Sequence, residues 1–137
     1  MTLSGSDKRN DIQLTQHFNA HEGECHGENC CGHAVLILPS LWRALQALRY
    51  RLGKPISPTC VYRCPVHNAA VGGVVGSDHT LGMAADLPCP DELDPQDFAR
   101  YCLRSGFVRC GYYPTRRFVH ASIKARDGYP DLWNGEA

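Results

Sequence analysis

Eight cysteines and seven histidines stand in a chain of 137 residues, and that density constrains the fold more than any other feature. Thiols and imidazoles in such numbers imply either disulfide staples or bound metal. The polar start from Met1 to Lys8 contains no apolar stretch of the kind a secretory signal needs. The thiols are therefore expected to be reduced, and metal is favoured over disulfides. The longest apolar run, Ala34 to Leu38, falls far short of the roughly 20 residues of a membrane helix, so no membrane insertion is expected. Fourteen Lys and Arg balance fourteen Asp and Glu, which removes the global field that favours nucleic acid. The charges are nonetheless segregated. Residues 86 to 97 carry acids and no base, whereas Arg100, Arg104, Arg109, Arg116, Arg117, Lys124 and Arg126 follow with no acid among them. Such a basic stretch is either a solvated face or a surface that attracts an anionic substrate.

The length suits one domain, read as a flexible polar segment over 1–16 followed by a single domain over 17–137. Leu41, Leu45, Leu48 and Leu52 recur at helical spacing, so a helix is expected from Leu41 to Leu52, capped by Ser40 and ended by Gly53. Asp94-Pro95-Gln-Asp97 supplies a cap, a first-turn proline and an acid for a second helix through Phe98 and Cys102. Short β-like runs are read at 56–63, 83–87, 107–113 and 118–123. Helices and strands mix without a regular alternation, which gives an α+β class.

The chemistry concentrates in the decapeptide Ser77-Asp78-His79-Thr80-Leu81-Gly82-Met83-Ala84-Ala85-Asp86. A turn at Gly82 can fold His79 back so that its ring meets Asp86. Imidazole and carboxylate are both good zinc ligands, and a catalytic zinc site takes three protein ligands. His120, the one polar ring in the apolar strand pattern Phe118-Val-His-Ala, is the candidate third ligand.

Ser77-x-His79-x-x-Gly82-x-Ala84-x-Asp86, followed by Phe118-Val-His120, resembles the zinc D-Ala-D-Ala carboxypeptidase family, which includes cell-wall endopeptidases and shares its fold with the Hedgehog signalling domain. Arg49 to Pro55, Tyr62-Arg63-Cys64-Pro65-x-His67-Asn68 and Val71-Gly72-Gly73-Val74 resemble further motifs of the small single-domain branch found in phages and bacteria. The resemblance covers roughly residues 17 to 126. It implies a Hedgehog/DD-peptidase-like fold, with a small, mostly antiparallel sheet flanked by helices. It also implies a Zn2+ ion held by His79, Asp86 and His120, Arg63 as the catalytic residue beside the activated water, and His67-Asn68 as a structural pair. The expected function is a metallopeptidase acting on peptidoglycan stem peptides, of carboxypeptidase or endopeptidase type, as in phage lysis enzymes. A monomer, either cytoplasmic or carried by a virion and acting at the wall, fits that picture.

Four positions depart from the family pattern. Arg117 stands where many relatives carry an acid three residues before the last histidine, Ser122 replaces the aspartate of a His-x-Asp ending, and Cys60-Val61 stands where Ser-Gly is usual. A proton acceptor near the zinc water is worth about 10²- to 10⁴-fold in rate. The chain is accordingly either a weak enzyme, which an aspartate at position 122 is expected to improve, or a zinc-binding domain of the same fold that recognises a peptide or protein partner. A second cluster, Cys25-His26-Gly-Glu-Asn-Cys30-Cys31-Gly-His33, could hold another metal through Cys25, Cys30, Cys31 and His33. Disulfides and free thiols remain the other readings of these cysteines.

Overall fold

The computed structural model describes residues 9–137. Three helices, α1 (Pro39–Leu52), α2 (Pro65–Ala70) and α3 (Pro95–Arg104), accompany four strands, β1 (Ala84–Pro88), β2 (Arg109–Tyr113), β3 (Phe118–Ser122) and β4 (Leu132–Asn134). The strands form one sheet in the order β1-β3-β2-β4. β3 pairs antiparallel with both β1 and β2, and β4 runs parallel to β2. The architecture is α+β, as the mixed pattern of elements implies.

Pleating sends alternate residues of each strand to opposite faces. Ala85 and Leu87, Cys110, and Val119 and Ala121 face the core, where they meet Leu41, Trp42, Leu45 and Leu48 of α1 and Phe98 and Cys102 of α3. Fully burying one such Leu or Phe is worth about 1.5–3 kcal/mol, so this face holds the two long helices to the sheet. The opposite face carries the polar residues. Along one line across all four strands the register places Asp86 beside His120, His120 beside Gly111, and Gly111 beside Trp133.

Local sequence explains most boundaries. α1 starts one residue earlier than its expected cap: Pro39 takes the first helical position, Leu38 is the cap residue without a side-chain bond, and Ser40 lies inside the helix. Proline's fixed φ suits that first turn, and its missing N–H is not needed there. Gly53 closes the helix in the left-handed conformation (φ 69°). α3 follows its expected signals, with the Asp94 side chain accepting from the Gln96 and Asp97 amides.

Residues 56–63 do not form the strand expected of them. Only one bridge forms, Cys60 to Asp86, with the Thr59 amide donating to the Asp86 carbonyl and the Asp86 amide to the Cys60 carbonyl. Pro55 and Pro58 remove donors that a longer ladder would require. Of the expected flexible segment 1–16, residues 1–8 lie outside the described residues. Residues 9–16 rest against the domain: Arg9 pairs with Glu24 at 2.7 Å, and Gln13 bridges to Asn19. Phe18 inserts next to Trp42 in the core. Among the described residues no helix is long and apolar enough to cross a membrane.

Candidate active site

Ser77 caps a short 3-10 turn, Asp78–Leu81, by accepting from the His79 amide. Gly82 ends the turn in the left-handed region (φ 68°), which an L side chain rarely adopts, and β1 begins two residues later. This reversal aims His79 back toward Asp86. His79 Nδ1 lies 2.8 Å from the Val61 carbonyl, a contact that assigns the N–H to that nitrogen and leaves Nε2 to face Asp86. His79 Nε2 and His120 Nδ1 each lie 3.1 Å from the same oxygen, Asp86 Oδ1. The sequence trio thus meets at one point. Burial disfavours charge on His79, yet Asp86, with the Cys60 thiol beside it, lifts its pKa to about 10. Burial works against ionisation of Asp86 too, and the His120 and His79 rings nevertheless hold it well below the usual carboxylate range.

The donor set suits a metal of the zinc type. Two N or O donors on a tetrahedral zinc, each at about 2.0–2.1 Å, stand roughly 3.3 Å apart. The observed 3.1 Å separations match, and a cation at this point would take over the charge balance that protons otherwise supply. Cys60 is an unforeseen neighbour: its sulfur and donor atoms of His79 and Asp86 lie within 4.8 Å of one another. It approaches His79 at Nδ1 (3.6 Å), the nitrogen already turned to Val61. His120 shares the Asp86 oxygen that faces Nε2, although the group of donors that all lie within 4.8 Å of one another is Cys60, His79 and Asp86.

Arg63 lines the same cleft, an open space of about 620 Å³ bordered also by His79, Asp86 and His120. Its amide donates to the His79 carbonyl, and its Nε donates to Asn68 Oδ1 at 2.9 Å. Asn68 is buried and also donates from Nδ2 to the Val74 carbonyl. One asparagine therefore fixes both the guanidinium and the Gly72-Gly73 loop, the structural role expected of the His67-Asn68 pair. The far wall is aromatic. Tyr113 and Phe118 stack with centroids 4.2 Å apart beneath Arg116, and Trp133 lies 6.3 Å from the His120 ring, with Arg109 over it.

The two family acid positions are used differently here. Arg117, in a left-handed backbone conformation (φ 55°), turns away and donates to the carbonyls of Pro90 and Leu93. Ser122 is fully buried and donates at 2.7 Å to Asp78 Oδ2. Asp78, only 3% exposed, also binds Arg109 at 3.2 Å and contacts Arg126. Burial favours its neutral form, but Ser122 and the two guanidiniums keep its pKa low. A carboxylate thus does meet position 122, supplied from the turn that carries His79. Asp78 sits inside the decapeptide, but no pattern in the sequence places its carboxylate at position 122. Trp133 left no signal except Gly111, the small residue against which it packs.

The N-terminal cluster assembles only in part as expected. The sulfurs of Cys25, Cys30 and Cys31 converge, but the fourth member of the group is Cys64, not His33. The His33 ring is turned away, with Nδ1 2.9 Å from the Cys25 carbonyl and Nε2 3.4 Å from Glu28.

The family model described as Peptidase M15 matches residues 11–122. No curated protein matches the sequence. The matched span runs through the arginine turn, the decapeptide and β3, and it ends at Ser122, before β4 and Trp133. With most of its length so matched, the chain belongs to the peptidase M15 family.

Proposed function

We propose that this member of a hydrolase family is a zinc-dependent peptidase that cleaves stem peptides of peptidoglycan, by carboxypeptidase or endopeptidase action. The observation that carries the reading is the convergence of His79 and His120 on one oxygen of Asp86 at the floor of a cleft that Arg63 enters. Zinc held by these three residues would supply a Lewis acid for the scissile carbonyl and a nucleophile from water at neutral pH.

The chain's own residues supply the rest. Val61 fixes the tautomer and orientation of His79. Asn68 holds the Arg63 guanidinium, so its charge is available for a substrate carboxylate or for the oxygen that becomes negative when water adds to the carbonyl. Arg63, Arg109, Arg116 and Arg126 outnumber Asp78 and Asp86 among the charged groups lining the cleft, which favours an anionic peptide. Both carboxylates are already engaged, one between two imidazoles and the other by two guanidiniums and a hydroxyl. Turnover is therefore slow. The same observation supports a second reading, a domain that binds such peptides and barely cleaves them.

Incubating the zinc-loaded protein with isolated wall fragments separates the two. Peptidase action yields new amino termini, or free D-alanine for carboxypeptidase action, and a chelator abolishes both. If the metal is present and no product forms, while the fragments still bind, the second reading stands and the first falls.

A further inference from the structure

Another metal-type cluster lies outside the cleft. The sulfurs of Cys25, Cys30, Cys31 and Cys64 all lie within 4.8 Å of one another. Cys25 and Cys30 are 4.0 Å apart, and Cys30 and Cys31 are 3.8 Å apart. Zinc–thiolate bonds of about 2.3 Å in a tetrahedron place neighbouring sulfurs roughly 3.8 Å apart, whereas a disulfide requires about 2.0 Å. The observed spacing is that of sulfurs around a shared ion, and these cysteines are free thiols.

The backbone is arranged to serve the sulfurs. The Cys64 amide donates to Cys25 Sγ at 3.5 Å, the Ala34 amide to Cys31 Sγ at 3.4 Å, and the His67 amide to Cys64 Sγ at 3.4 Å. Amide donors of this kind stabilise thiolates and orient them as ligands. Gly27 lets the loop close over the group, since a Cβ there would stand 2.7 Å from Cys30 Sγ and 2.8 Å from the His67 ring. Four soft thiolates this close together select zinc over hard cations such as magnesium or calcium.

We propose that Cys25, Cys30, Cys31 and Cys64 bind a structural zinc ion that clamps the N-terminal loop to the turn carrying Arg63. The four thiols give up their protons as the ion binds. Cys64 follows Arg63 directly and caps α2, whose Asn68 holds the guanidinium. Between Cys25 and Ala34 the chain has neither helix nor strand, so the ion does there what a ladder or helix does elsewhere. The proposal is independent of the peptidase reading.

The test uses the full chain, purified under reducing conditions and loaded with zinc or with cobalt as its spectroscopic substitute. The wild type should hold about two metal ions per chain, one of them bound by four thiolates. Cobalt there should give intense near-ultraviolet sulfur-to-metal absorption. His79→Ala combined with His120→Ala should keep that absorption while metal content falls to about half, and Cys31→Ser should lose it and retain the other ion. Because a serine at buried Cys25 or Cys64 can unfold the domain on its own account, alkylation of the wild type provides a second measure. Zinc should slow modification of Cys30 and Cys31, the more accessible pair, by roughly tenfold or more. Cobalt-loaded wild type without thiolate absorption, equal alkylation rates with and without zinc, or a disulfide among these residues in freshly prepared reduced protein would each overturn the proposal.

Discussion

Moving the carboxylate of Asp78 across to position 122 should cost far less than adding a second one there. Ser122 is fully buried, and its hydroxyl is 2.7 Å from Asp78 Oδ2. In Ser122→Asp two carboxylates would face each other at about 3 Å, where unit charges repel by about 5 kcal/mol at an effective dielectric of 20. Arg109 and Arg126 offset part of this, leaving a destabilisation of about 2–3 kcal/mol or a proton held between the pair. Asp78→Ser alone strands Arg109, which has only 11% of its side chain exposed, and breaking such a pair costs about 3 kcal/mol. The double variant Asp78→Ser/Ser122→Asp restores one carboxylate between the same two guanidiniums. It should be more stable than either single variant, with a remaining cost of about 1 kcal/mol and hence a coupling of about 4–5 kcal/mol in a double-mutant cycle. Urea midpoints of the four proteins, all equally metal-loaded, measure this directly. Additivity within about 0.5 kcal/mol would refute the idea that Asp78 stands in for the missing acid. The expectation that an aspartate at 122 simply improves the enzyme changes accordingly, because the single substitution crowds an occupied charge site.

Three further outcomes are expected. His79→Ala should lose the cleft metal while the fold, read by circular dichroism, persists; full retention of metal by both this variant and His120→Ala would remove the ligand assignment. Arg63→Ala should keep its metal and lose roughly 10²-fold in kcat, with no rescue by Lys, since Lys lacks the Nε donor that engages Asn68; an equal loss of metal would make the arginine structural. The Arg9 hydrogen bond, against opposing burial and with help from Asn10, holds Glu24 at about 2. A depressed folded pKa contributes stability that is present above the ordinary carboxylate range and is lost as pH falls from about 4.5 toward 2. Thermal unfolding of Glu24→Gln should show a shallower acid slope than the wild type; parallel slopes would refute the pairing.

What the sequence disclosed and what it hid follow from the range of the interactions involved. His79 and Asp86 were legible because a left-handed glycine and a seven-residue spacing act locally, and His120 because a polar ring broke an apolar alternation. Helix α3 was legible because its cap and proline are adjacent. Cys64 was not, since its sulfur partners lie 33 to 39 residues earlier and nothing in its own motif marks it. The same holds for Trp133, brought to His120 only by the parallel pairing of β4 with β2. Residues 56–63 read as a strand by composition, but Pro58 within them and Pro55 just before them reduce the segment to the single bridge that sets Cys60 beside Asp86. These hidden contacts meet at the arginine turn. On one side the Arg63 amide is tied to the His79 carbonyl, and on the other the next residue contributes its sulfur to the thiol cluster. The guanidinium is therefore positioned from two directions, by the cleft through His79 and by the N-terminal loop through Cys64. Loosening the thiol cluster should lower kcat through Arg63 while the metal at His79, Asp86 and His120 stays in place.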